Sequence, residues 1–311
     1  MASAIALHDL ASTNLPSPVP YAVLAPEHTG PLPLCIFLLG AGGTRDNLAD
    51  LQPVFDGWWN EGLLPPMAVV VPTPGPDYIG WDSFLADDLI PHVRAEFHAS
   101  EAVVLAGISG GGYGALKLAF ARPEMFAAVA AMQPMLEPGL RESDVGARNR
   151  LHHVAIAPPS AALWEANNPA NRARANVQAI RDSGMAIYID AAGRDFLNAH
   201  DGAEFLHRTL WDLDLAHEYH LVREADHGGP TMRPRMRAMF GWIAAVLRPK
   251  VADPAAEEAA AAWLGSGMQG KPPAGATTSD AFIRFMRARF EPLREKAAES
   301  DPTVRRRYGV V

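Results

Sequence analysis

The stretch from Val103 to Phe120, VVLAGISGGGYGALKLAF, constrains the fold of this chain more than any other. Its start is typical of a buried strand and its end of a helix, and the turn between them holds Ser109 among five glycines. Glycine fills backbone positions where a side chain would clash, so such a turn is tight and exposes its serine hydroxyl. Gly107 and Gly111 complete the pattern G-x-S-x-G, which in this strand–turn–helix context predicts a catalytic nucleophile.

Short apolar runs recur along the rest of the chain, mostly without polar alternation, as expected for strands buried on both faces. Helical patterns such as SFLADDLIPHVRAEF and RPRMRAMFGWIAAVL separate the later runs. This alternation predicts an α/β protein with a mostly parallel central sheet and helices on both faces. The first two runs, around Tyr21 and from Leu34, have no helix between them, so we expect the sheet to start with antiparallel strands.

We expect this α/β domain to occupy residues 1–250. A long polar segment at about 133–171, rich in proline and asparagine, interrupts the alternation of strands and helices. A stretch of this length inside a compact domain is typical of a functional insertion, such as a cap over a site.

Residues 251–311 are predicted to form a C-terminal helical extension. Asp253 is a candidate N-cap for a first helix that begins at Pro254. A second helix presents one apolar face, made of Phe282, Met286, Phe290 and Leu293. Pro292 is expected to kink or end that helix. The second helix could dock on its own domain or, because the loop between the helices is long, reach another subunit, and we favour a homodimer through the extension.

A serine nucleophile needs a base, and in the fold indicated by the turn an acid and a histidine follow later strands in that order. Asp195 comes after the run MAIYIDA, and His227 comes after EYHLVRE. Asp190 and Asp226 are alternatives for the acid. Asp190 lies within its strand and Asp226 adjoins His227, whose side chain should point elsewhere, so we favour Asp195.

Two backbone amides are candidates for an oxyanion hole. The amide of Gly110 follows the nucleophile at the start of a helix, where the helix dipole adds positive potential. The second donor is expected in the glycine-rich loop LLGAGGTRDN, and the amide of Ala41 is our choice.

The chain resembles the Putative esterase family of α/β-hydrolases, which includes esterase D, S-formylglutathione hydrolase, feruloyl esterases and mycolyltransferases. The resemblance is carried by GISGGGYGAL, IYIDAAGRDF and DHGG, and it spans most of residues 20–248. It implies an α/β-hydrolase fold and an ester or thioester substrate. One departure is that Leu39 precedes Gly40 in the oxyanion loop, where the family commonly has histidine, so the loop loses a polar support.

The expected activity is therefore carboxylic ester hydrolysis through an acyl-enzyme, on small aliphatic or aryl esters. Trp58, Trp81 and Tyr113 are candidates to line the pocket for a small-molecule substrate. An acyltransferase that uses the same acyl-enzyme, a serine peptidase and a non-enzymatic interaction protein on the same fold remain as alternatives.

The whole-chain properties set the remaining expectations. The net charge is −8 and the basic residues are scattered, which argues against a nucleic acid or an anionic membrane as partner. No metal-ligand spacing and no phosphate-binding loop is present, so we expect no metal and no cofactor. Since we find neither a signal peptide nor a membrane-spanning run, a cytoplasmic location is expected. Cys35 is predicted to be a buried strand residue.

Overall fold

The apolar runs become the strands of one sheet in the computed structural model, which describes residues 2–74, 78, 80–97, 99–146, 160–248 and 253–300. The described strands are β1 (Ser3–Leu10), β2 (Val19–Pro26), β3 (Leu34–Leu38), β4 (Ala68–Pro72), β5 (Val103–Ile108), β6 (Ala128–Met132), β7 (Ala186–Ala192) and β8 (Glu218–Val222). Their order across the sheet is β1-β2-β4-β3-β5-β6-β7-β8.

The sheet is antiparallel at one edge and parallel elsewhere. β1 pairs antiparallel with β2, and β2 pairs antiparallel with β4, while every other neighbouring pair is parallel. The predicted antiparallel start is therefore confirmed, although β2 and β3 lie on either side of β4 rather than side by side. β1 was not among the predicted strands, and this edge strand is only partly buried.

Helices alternate with the strands along the chain. They are α1 (Asn47–Asn60), α2 (Trp81–Ser83), α3 (Ile90–Glu96), α4 (Gly110–Ala121), α5 (Ala161–Asn167), α6 (Pro169–Ala175), α7 (Val177–Ser183), α8 (Ala199–Asp212) and α9 (Met232–Leu247). A π-helical stretch, Phe84–Leu89, continues α2 into α3. α1 and α9 bury one apolar core against alternate residues of β3, β4, β5 and β6. α4 packs against β3, β5 and β6 on the opposite face.

The described part of the predicted insertion, residues 133–146 and 160–171, is fastened by its asparagines. The side chain of Asn168 caps α6 by accepting hydrogen bonds from the amides of Ala170 and Asn171. It also donates to the carbonyl of Gly139 at 2.8 Å, and the Asn171 side chain donates to that of Leu140 at 2.7 Å. These bonds satisfy backbone groups that an irregular segment would otherwise leave unpaired. Residues 147–159 lie outside the described residues.

The described residues divide into two compact units. The larger unit comprises the residues up to Trp211 together with Leu215–Arg248, and the smaller one comprises Asp212–Asp214 with the described residues from 253 onward. Among the described residues, no helix has the length and apolar character needed to cross a membrane.

Among its described residues, the smaller unit contains two α-helices, α10 (Pro254–Gly265) and α11 (Asp280–Ser300). Asp253 caps α10 as predicted, because its carboxylate accepts hydrogen bonds from the amides of Ala255 and Ala256 at 3.1 Å each. α11 continues through Pro292, so this proline does not end the helix.

Candidate active site

Ser109 lies in a strained turn between β5 and α4. Its backbone angles are φ 57° and ψ −122°, a conformation that costs a non-glycine residue free energy. Hydrogen bonds on both sides hold it: the Ser109 amide donates to Met132 O at 3.0 Å, and the Ser109 carbonyl accepts from the amides of Tyr113 and Met135. A non-glycine residue held in this way is typical of a functional position.

The two motif glycines are required because backbone segments cross directly against them. A Cβ atom on Gly107 would lie 2.2 Å from Gly111 O, and a Cβ atom on Gly111 would lie 2.0 Å from Leu38 O. Neither position has room for a side chain, so the G-x-S-x-G pattern follows from the close approach of β3, β5 and α4.

A chain of hydrogen bonds joins the three predicted triad residues. Ser109 Oγ lies 2.8 Å from His227 Nε2, and His227 Nδ1 lies 2.7 Å from Asp195 Oδ2. The three residues come from the loops after β5, β7 and β8, which all end at the same edge of the parallel part of the sheet. The geometry suits proton transfer from the serine to an imidazole oriented by a carboxylate.

Asp195 is built to remain ionised. Burial by itself would raise the pKa of Asp195, but the hydrogen bond and charge of His227, with the amides of Leu197 and Ala199, bring that pKa below its usual value. Its Oδ1 atom accepts from the Leu197 amide at 2.8 Å while its Oδ2 atom faces the imidazole. A carboxylate in this position stabilises an imidazolium as it forms.

The two alternative acids are engaged elsewhere. Asp190 forms a buried ion pair with Arg235 of α9. One oxygen of Asp226 accepts hydrogen bonds from the amides of Phe196 at 2.9 Å and His227 at 2.7 Å. Asp226 therefore ties the loop after β7 to the loop after β8 through their backbones.

A buried polar network that sequence analysis missed holds the histidine loop. The guanidinium of Arg235 donates to Gln133 Oε1 at 2.6 Å and to the Asp226 carbonyl at 3.2 Å. The Gln133 side chain in turn donates to the His227 carbonyl. The only signal in the sequence was Asp190, a carboxylate inside an apolar strand, since a buried charge requires a partner.

The loop after β3 lies directly against the nucleophile. A Cβ atom on Gly40 would lie 2.9 Å from Ser109 Cβ. Within the part of the chain that the structure describes, no acceptor binds the amide of Ala41 or that of Gly110. Both predicted oxyanion donors are thus available in the two segments that flank Ser109.

A cavity of about 340 Å³ opens beside this loop. Its apolar wall is made of Leu39, Leu51, Ile108, Met232 and Met236. Asn47, Asp50 and Arg233 add polar groups to the lining. A small, mostly apolar pocket with a few polar groups is typical of a site for a small molecule.

The three residues predicted to line a substrate pocket are not among the residues around this cavity. Trp58 lies in α1, where its ring packs against Phe55 and Phe240 in the core. Trp81 and Tyr113 are also buried, and neither belongs to the lining of the 340 Å³ cavity. The sequence did not point to Phe196, whose side chain is 67% exposed and whose ring lies 5.8 Å from that of His227.

The sheet, the strained serine turn and the hydrogen-bonded Ser109, His227 and Asp195 define the class of serine hydrolases with the α/β-hydrolase fold. The chain belongs to the Putative esterase family, whose model matches residues 12–243. Membership makes it a carboxylic ester hydrolase, so the predicted family, fold class and type of enzyme are confirmed.

Solved structures with the same fold include an esterase and two other hydrolases. A ferulic acid esterase is 18% identical with a TM-score of 0.65, and the match covers 79% of this chain and 100% of that one. The S-formylglutathione hydrolase of Staphylococcus aureus is 18% identical with a TM-score of 0.62, and the match covers 78% of this chain and 100% of that one. The fluorophosphonate-binding serine hydrolase F of the same organism is also 18% identical, with a TM-score of 0.60, and the match covers 78% of this chain and 98% of that one. No curated protein matches this chain.

Proposed function

We propose that this protein hydrolyses carboxylic esters through an acyl-enzyme formed on Ser109, with His227 as general base and Asp195 as the orienting carboxylate. The observation that carries the proposal is the unbroken hydrogen-bond chain from the hydroxyl of Ser109 through the imidazole to the buried carboxylate. Its position at a strained strand–helix turn supports the same role for the serine.

In the first half-reaction, Ser109 Oγ bonds to the ester carbonyl carbon as His227 Nε2 takes the hydroxyl proton. The carbonyl oxygen becomes an oxyanion, for which the amides of Gly110 and Ala41 are the proposed donors. When the tetrahedral intermediate collapses, the bond to the alcohol oxygen breaks and His227 returns the proton to that leaving group. Water then repeats the sequence on the acyl-enzyme, releasing the carboxylic acid and restoring Ser109.

The mostly apolar cavity beside the oxyanion loop supports the proposal that the substrate is an ester with an apolar group. Burying a methylene of the substrate there is worth about 0.8 kcal/mol, which is roughly fourfold in binding for each added carbon until the cavity is full. The exposed ring of Phe196 beside His227 offers a second apolar surface, suited to an aryl ester. A thioester reacts by the same steps with a thiol as leaving group.

The test is a matched series of 4-nitrophenyl esters of increasing acyl length, with a thioester and a 4-nitroanilide of the same acyl group. We expect kcat/KM to rise with chain length and then to fall, and the ester to be cleaved far faster than the anilide. Met236→Trp, which narrows the cavity, should shift the optimum to shorter chains.

Other outcomes of the same series would favour the alternatives. Equal rates on ester and anilide would favour a peptidase. Quantitative transfer of the acyl group to an added alcohol, in place of release of the acid, would favour an acyltransferase. The absence of turnover on every substrate would contradict the proposal.

A further inference from the structure

The oxyanion loop is held by its backbone rather than by the side chain of Leu39. That side chain is buried in the apolar core and has no polar atom to offer. The Leu39 carbonyl, however, accepts a hydrogen bond from the hydroxyl of Tyr78 at 2.7 Å. This bond crosses 39 positions of sequence and is buried.

Tyr78 is itself fixed at three points. Its carbonyl accepts a hydrogen bond at 2.6 Å from Lys117 Nζ, an ammonium group on α4 that is fully buried. Its ring lies so close to α4 that a Cβ atom on Gly114 would be 2.8 Å from Tyr78 Cγ. The ring also packs edge-on against Trp81, with centroids 5.5 Å apart. A residue anchored on the nucleophile helix therefore reaches across to the oxyanion loop.

The backbone of Tyr78 indicates that this arrangement is imposed by its surroundings. Its φ angle is 52°, in the left-handed region that a tyrosine adopts only at a cost in free energy. The side chain is only 3% exposed. Burial also raises the pKa of Tyr78, so at neutral pH the phenol is protonated and can donate.

The peptide that Tyr78 binds is the one that sets the direction of the loop. The Leu39 carbonyl shares a rigid plane with the Gly40 amide, and the next peptide along the chain carries the Ala41 amide. Gly40 packs against Ser109, and a turn from the Gly43 amide to the Gly40 carbonyl closes the loop at 3.0 Å. Without the bond to Tyr78, the peptide between Leu39 and Gly40 would be less restrained, and the direction of the Ala41 N–H would no longer be fixed.

We propose that Tyr78 is a positioning residue for the oxyanion hole, which holds the loop of Leu39–Ala41 at a fixed distance from Ser109. This inference rests on the proposed function. A donor that must meet an oxyanion at 2.7–3.1 Å loses its effect when it is displaced by a fraction of an ångström, so the supporting bond matters for the rate.

The test is Tyr78→Phe, which removes one oxygen and keeps the ring. Loss of an oxyanion donor typically costs about 10²–10³-fold in kcat, and loss of its support should cost about tenfold. We expect kcat for a 4-nitrophenyl ester to fall by that factor with KM nearly unchanged. Affinity for an aryl boronic acid, which forms a tetrahedral adduct on the serine, should weaken by the same factor.

Tyr21→Phe is the matched control. The Tyr21 side chain is fully buried and its hydroxyl bonds to the His92 ring at 2.9 Å, so this variant also loses one buried hydroxyl hydrogen bond. It should keep the wild-type kcat and boronate affinity. If Tyr78→Phe does not fold, Gly114→Ala takes its place, since the added methyl group displaces the Tyr78 ring and should weaken boronate binding as well.

The inference is overturned if a folded Tyr78→Phe protein keeps the kcat and boronate affinity of an active wild type, and the proposed function then still stands. It is also overturned if Tyr21→Phe loses both quantities to the same extent. A wild-type protein with neither esterase activity nor boronate binding would contradict the proposed function, and this inference with it.

Discussion

The substitution Asp195→Asn distinguishes the proposed orienting acid from the two alternative acids, Asp190 and Asp226. The Asp195 carboxylate accepts hydrogen bonds at both oxygens, one from His227 Nδ1 at 2.7 Å and one from the Leu197 amide at 2.8 Å. The asparagine amide has nearly the same shape but only one acceptor oxygen. One of the two donors must then face an NH₂ group, and the negative charge that stabilises the imidazolium is lost.

The expected loss in kcat is about 10⁴-fold, the size found when the acid of a serine triad is changed to asparagine. At 1.36 kcal/mol for each factor of ten, this corresponds to about 5.4 kcal/mol of transition-state stabilisation. The loss in folding stability should be smaller, about 1.5–3 kcal/mol, since one hydrogen bond to a charged group is removed.

The assay compares kcat on a 4-nitrophenyl ester with thermal unfolding for three variants. Asp226→Asn keeps one oxygen that can accept from both amides, so kcat and stability should stay near wild type. Asp190→Asn breaks a buried ion pair with Arg235 and should cost about 3–5 kcal/mol of stability. The reasoning is refuted if Asp195→Asn retains more than about one percent of the wild-type kcat, or if Asp226→Asn shows the larger loss.

Two further predictions concern the rest of the chain. Cys35 lies fully buried in β3, and burial raises its pKa to about 12. Iodoacetamide at pH 8 should therefore leave the thiol of the native protein unmodified and alkylate it once after unfolding. Rapid alkylation of the folded protein would contradict this prediction. The homodimer expected through residues 251–311 should give a light-scattering mass of about twice the chain mass of 33.4 kDa, whereas a monomer at all concentrations would contradict it.

The parts of the fold and site that sequence predicts are those with a strong local pattern. The elbow around Ser109 is recognisable because Gly107 and Gly111 are forced by backbone contacts that no other residue fits. Asp195 and His227 follow because each lies in the loop after a strand, β7 or β8, and parallel strands bring such loops to one edge of the sheet.

Helix α1 shows what a local pattern can hide. Its sequence contains Pro53 and Gly57, residues that usually interrupt a helix, so the local pattern around Trp58 does not predict one. Burial of Phe55, Trp58 and Trp59 against the sheet outweighs that unfavourable propensity.

The supporting contacts of the site depend on partners far apart in sequence. Arg235 meets Gln133 across 102 positions, and Tyr78 meets Leu39 across 39. No spacing rule connects such pairs, because the packing of whole helices and strands brings them together. The cavity lining combines the loop after β3, α1 and α9 for the same reason.

The most direct test of the central claim is to find where a fluorophosphonate probe binds. Intact mass should show one adduct per chain, and peptide mapping should place it on Ser109. Ser109→Ala should remain folded, take no label and lose at least about 10⁴-fold in ester hydrolysis. An adduct on another residue, or unchanged hydrolysis by Ser109→Ala, would contradict the account.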